Sequence, residues 1–171
     1  MRVNNIVTAG VLLSAVATVP QAQAATFGFG CISNNSATNC TTGVSQLFVD
    51  VTDSGSNQVL FTFTNTGSGL SSIADVYFDD GTLLGIASID NTSSGVSFSQ
   101  GASPGNLPGG NSVGFTATTG FLADSNPPVQ PNGVNPGEYL GITFDLLSGV
   151  TYIDTINALQ SGTDLRIGIH V

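Results

Sequence analysis

Apolar and polar residues alternate with a period of two along most of the chain, and that alternation predicts strands. In residues 46–52, Leu47, Val49 and Val51 point one way while Phe48 and Asp50 point the other. In 58–65, Val59, Phe61 and Phe63 alternate with Leu60, Thr62 and Thr64. Ala74, Val76 and Phe78 oppose Asp75, Tyr77 and Asp79; Leu140, Ile142, Phe144 and Leu146 oppose Tyr139, Gly141, Thr143 and Asp145. The last such segment sets Leu165, Ile167, Ile169 and Val171 against Arg166, Gly168 and His170. Successive side chains of a strand face opposite sides, so each segment reads as a half-buried strand with one wet face. Weaker strand candidates lie at 26–30, 84–89, 96–100 and 113–118. Residues 151–160 break the pattern: Ile153, Ile156, Asn157 and Leu159 follow helical spacing, Thr151 with Asp154 resembles a capping box, and Gly162 suits the stop. Residues 101–112 and 124–137 hold six of the seven prolines and read as loops. Many short strands without long intervening helices predict a mainly β chain, an antiparallel β-sandwich, jelly-roll-like, with one short helix near the C-terminus.

The first 24 residues depart from this pattern. Arg2 precedes an apolar stretch from Ile6 to Val19, and Ala22-Gln23-Ala24 has the small-x-small form of a cleavage site, so a secretory signal cleaved before Ala25 is expected. Residues 25–171 then form a single secreted domain, with no further stretch long enough to cross a membrane. In that compartment Cys31 and Cys40 are expected to form a disulfide. Closing so short a loop contributes about 2.7 kcal/mol by chain entropy. Three glycosylation sequons begin at Asn34, Asn39 and Asn91.

Composition narrows the function more than it specifies one. The 171 residues carry 11 acids, two arginines and no lysine, a formal charge of −9. Without the leader, Arg166 alone faces the 11 acids as a permanent cation. Such a surface offers nothing to neutralise nucleic-acid phosphates or an anionic membrane. Asp79 and Asp80, beside Gly81, and Asp90, beside Asn91, sit at strand ends and are weak candidates for Ca²⁺, against the turn role that Asp-Gly and Asp-Asn ordinarily play. No resident cofactor is expected. A Ser-His-Asp relay would have to use His170, the only histidine, without any G-x-S-x-G elbow. A glycosidase needs two facing carboxylates, and no spacing selects a pair. Tyr139, Thr143, Asp145, Arg166 and His170 fall on outward faces of two segments that, as neighbours, would form a strip for a saccharide or a protein surface.

The leader, Thr26-Phe-Gly-Phe-Gly-Cys31 with Cys40, the alternating strands and the closing Leu165-Arg-Ile-Gly-Ile-His-Val171 resemble exported bacterial proteins of the PEP-CTERM sorting class. The resemblance covers the exported domain; the Val-Pro-Glu-Pro tail of that class is not in this chain. It implies an exported or surface-associated domain of matrix or envelope, with exosortase as a partner if a sorting tail follows Val171. The expectation is therefore a non-catalytic structural or interaction domain, secreted or at the cell surface, in contact with polysaccharide or surface proteins. A carbohydrate-binding module, Ca²⁺-assisted, is the alternative, and a glycoside hydrolase or lyase a distant third.

Overall fold

A computed structural model describes residues 23–33 and 35–171. The expected leader therefore lies almost wholly outside the described residues, as does the Asn34 sequon. The described chain is mainly β, with two antiparallel sheets. Its strands are β1 (Ala24–Gly28), β2 (Leu47–Gly55), β3 (Gln58–Asn65), β4 (Asp75–Asp80), β5 (Leu83–Asp90), β6 (Phe98–Gln100), β7 (Leu122–Ser125), β8 (Tyr139–Leu146) and β9 (Leu165–His170). Helices are α1 (Ala37–Gln46), the single turn α2 (Val129–Asn132) and α3 (Tyr152–Ser161). One sheet runs β1-β2-β3-β8-β5 and the other β6-β7-β4-β9.

The strongest alternations become the best-buried strands. Val49, Val51, Val59, Phe61, Phe63, Ile142 and Phe144 are almost wholly removed from water. The two sheets share one core: Phe78 of β4 meets Phe61 edge-on at 5.1 Å and Phe144 at 4.6 Å between ring centroids. Such aromatic pairs add about 0.5–1.5 kcal/mol beyond their area burial. Between β2 and β3, Ser56 and Asn57 both take positive φ, the backbone that a two-residue hairpin turn matched to strand twist requires. The carboxylate of Asp53 accepts from Gly55 N–H at 2.8 Å beside the adjoining register shift.

The predicted C-terminal helix forms as α3. Thr151 and Asp154 cap it reciprocally, and Gly162 ends it at φ +67°. The Thr151 hydroxyl and amide, donating to the Asp154 carboxylate, hold that group below its ordinary acidity range.

Four expectations are corrected. Residues 113–118 are not a strand: Gly110–Val113 is a 3₁₀ turn, and Gly114 takes φ +64°. The 124–137 segment is no continuous loop, because its first two residues finish β7 and α2 interrupts it. The helix near the C-terminus is not the only one, since α1 starts between the cysteines at Ala37, behind Ser36, whose hydroxyl accepts from Asn39 N–H at 3.3 Å. And β4 has no wet face. Residues 101–118 fold back across the outer face of the second sheet, where Tyr77, Leu107, Phe115 and Leu122 form a second small apolar cluster. Leu107 seats on Gly168, where a Cβ would come within 2.4 Å of its Cδ2.

Candidate functional site

The chain's scarce charges meet on that covered face. Register places Asp124 of β7, Asp75 of β4 and His170 of β9 in one row across three strands. His170 Nδ1 lies 2.8 Å from Asp75 Oδ2; the Asp75 side chain is 5% exposed and the imidazole 46%. Asp124 faces Asp75 across the β4–β7 ladder. Burial raises the Asp124 carboxyl above its ordinary value, and the neighbouring charge of Asp75 pushes the same way. The same burial, with Asp75 and Asp124 nearby, pushes the Tyr77 phenol well up. Its hydroxyl donates to Pro104 O at 3.0 Å, a further tie on the 101–118 segment. Two strand positions along, Arg166 pairs with Asp79 and donates to Val113 O at 2.9 Å and Gly114 O at 2.6 Å. Its guanidinium carbon lies 5.5 Å from the Phe115 ring centroid.

The Ca²⁺ candidates are engaged in structure of this kind. Asp79 carries Arg166 and the Thr116 amide, the latter at 3.1 Å. Asp80 accepts from the amides of Thr82 at 2.6 Å and Leu83 at 2.7 Å. Burial nonetheless raises the Asp80 carboxyl, those amides only partly offsetting it. Asp90 accepts from Thr92 N–H at 2.9 Å. Among the described residues, no three His, Cys, Asp or Glu side chains gather with metal-site geometry.

The outward strip does not assemble. Tyr139, Thr143 and Asp145 lie on β8 in the first sheet, whereas Arg166 and His170 lie on β9 in the second. Chain connection through α3 moves the strand across layers, which alternation within a strand does not encode. The Asn91 sequon is also occupied: its side chain donates to Phe98 O at 3.0 Å and accepts from Phe98 N–H at 2.8 Å.

Beside His170 opens an apolar groove of about 650 Å³. Of the nine large exposed apolar side chains among the described residues, five line it: Ile32, Val44, Leu70, Val129 and Val171. Leu70 is 99% exposed. The Cys31–Cys40 disulfide, with Cα atoms 5.5 Å apart, sits on its rim. A second recess, of about 360 Å³, continues it between Phe27–Gly30 and β9. No acidic side chain lines either part. β1 and β9, each at one edge of its sheet among the described residues, flank this continuation.

Sequence reading singled out His170 but missed Asp75 and Asp124 as its neighbours. The only signal was Asp75 inside an otherwise well-buried stretch, next to Val76. The groove left none, because its walls come from α1, the 66–72 loop, the 101–118 segment and β9.

No helix among the described residues is long and apolar enough to cross a membrane. Comparison with protein-family models, curated proteins and solved structures returns no match.

Proposed function

We propose that the chain is an exported, non-catalytic β-sandwich that serves as a structural or interaction module at the cell surface or in extracellular matrix. The observation that carries this reading is the apolar groove flanked by two sheet edges. Monomeric soluble proteins rarely leave large contiguous apolar surface open, and such patches mark interaction sites. Edge strands offer unpaired N–H and C=O groups to an extended segment, so the occupant we assign is an extended peptide of a surface protein with alternating apolar side chains. Export is supported by the leader pattern and the disulfide, and sorting by an exosortase by the resemblance to PEP-CTERM proteins. Of the expected architecture we keep the sandwich. In a jelly roll successive strands mostly alternate between sheets, whereas β1, β2 and β3 are neighbours in one.

The carbohydrate reading has less support. Tyr77 and Tyr152 are buried, which leaves Tyr139 as the exposed phenol, and Tyr139 already meets the Thr92 hydroxyl at 3.1 Å. The two readings separate in one pull-down from the cell-surface fraction of the source culture, untreated or protease-digested, with and without chelator. Wild-type protein should bind the untreated fraction, and Ile32→Asp with Val44→Asp should abolish that binding. Binding that survives digestion and is lost with chelator sinks the peptide reading in favour of the sugar; equal binding by the double variant sinks the groove.

A further inference from the structure

Leu70 projects from the loop after β3 as the most exposed large apolar side chain among the described residues. Its neighbours on both sides are fixed. Gly69 N–H donates to Gln46 Oε1 at 3.1 Å, and its carbonyl accepts from Gln46 Nε2 at 2.8 Å. Ser71 Oγ accepts from Gln46 Nε2 at 2.6 Å, and the Ser71 carbonyl accepts from Asn65 Nδ2 at 3.2 Å. Gln46 and Asn65 are themselves buried. The loop thus gives up backbone freedom to hold a leucine out in water, and no apolar area leaves the solvent in return. A rigid apolar knob of this kind is pre-organised to fill a hole, because docking it needs little further ordering.

A hole that fits it lies on the same face. Leu70 stands on the rim of the apolar groove, with Ile32, Val44, Val129 and Val171 also on its walls. Where knob and hole share one face, a single two-fold rotation seats both knobs at once and closes the assembly at two copies. Charge selects the same face. Not one of the 11 acids lines the groove or its continuation, so two strongly acidic copies meet there without like charges in contact. We infer that a second copy of this chain covers the groove, each copy seating Leu70 in the groove of the other. Monomeric soluble proteins rarely leave such a patch open, and this pairing covers it on both copies at once. The dimer goes beyond the peptide reading and does not need it. The two occupants compete for one face, so pairing keeps the groove out of water until a peptide displaces the second copy.

Sedimentation velocity on the purified protein between about 5 μM and 500 μM reads the association, over the affinities that modest interfaces reach. The wild type should pass from monomer to dimer and no further. Net acidity opposes the approach of two copies at long range, so raising NaCl tenfold from about 0.05 M should tighten the dimer, whereas an interface of ion pairs would weaken. Leu70→Asp, at a side chain almost wholly in solvent, should keep the denaturation midpoint and weaken association by at least about tenfold. Ile153→Asp, at an exposed apolar position of α3 away from the groove, should associate as wild type does. A wild type that stays monomeric throughout, association unchanged in Leu70→Asp, or open-ended growth overturns the dimer. Should the variant fail to fold, isotope-filtered NOEs in a mixture of labelled and unlabelled wild-type copies decide. Contacts from the Leu70 methyls of one copy to Ile32 or Val44 of the other support the pairing; contacts to any other surface overturn it. A monomeric chain that is still retained in the pull-down sinks the dimer alone, and a dimer that captures nothing from the cell-surface fraction sinks the peptide reading alone.

Discussion

Asn65 is the residue on which the loop after β3 hangs. It is 1% exposed, accepts from Gln46 Nε2 at 2.9 Å and donates to the carbonyls of Ser71 and Val134, each at 3.2 Å. Gln46 in turn reaches Gly69 O at 2.8 Å and accepts from Gly69 N–H at 3.1 Å. A Cβ on Gly67 would lie 2.2 Å from Gln46 Oε1, so the loop closes around the amide only with glycine there. Removing Asn65 strands several buried polar groups at once, and each unsatisfied group costs about 1–3 kcal/mol. Asn65→Ala should therefore lose roughly 2–4 kcal/mol in chemical denaturation, while Thr64→Ala, on the half-buried face, loses under about 1 kcal/mol. An equal loss from both would show that the network contributes nothing special. None of this was legible beforehand: Asn65 ends an alternating run, and its partners lie in three other segments, at Gln46, Ser71 and Val134.

At the scale of elements, legibility followed burial. β2, β3, β8 and β9 were plain because each has a face in the core, and α3 because its apolar spacing and caps agree. α1 was invisible for the opposite reason. Ala-Thr-Asn-Cys-Thr-Thr-Gly-Val-Ser-Gln is a poor helix former, and only Gln46 of it is buried. So short a helix is marginal without tertiary support, and here a Ser36 cap and the disulfide to Cys31 supply much of it. Cys31→Ser with Cys40→Ser should cost about 2–4 kcal/mol and speed amide exchange in α1 selectively, leaving β3 protected at its global level. Unchanged exchange in α1 would mean that packing on the groove side alone suffices. The disulfide itself was legible from the leader pattern and the short spacing of Cys31 and Cys40. The drape of residues 101–118 was not, since its Gly, Pro and Asn read equally well as a loop into solvent, and only Leu107 and Phe115 meeting Tyr77 gives it a destination.

For the whole molecule, the class was legible while the layer assignment of β9 was not, and the candidate site depends on that assignment. Placing β9 beside β4 brings His170 to Asp75 and Arg166, the one Lys or Arg among the described residues, to Asp79, so both pairs lie within one sheet. The groove is lined by apolar and neutral polar side chains with His170, and by no acid. The same placement fixes where the two outer strands point. Ala24 of β1 sits opposite Thr52, while Val171, just past β9, shares the groove wall with Leu47 at the other end of β2. A pull between those points runs along the strands and loads the β1–β2 and β4–β9 ladders in shear, so their five and six register pairs resist together and are not unzipped one at a time. Stretched in a force spectrometer, the domain should yield in one high-force event, and a series of low-force steps would contradict this geometry. Once β1 peels away, the Cys31–Cys40 crosslink shortens the contour that can pay out before tension reaches α1 and β2. Under load, such a domain would behave as a stiff link with a built-in stop.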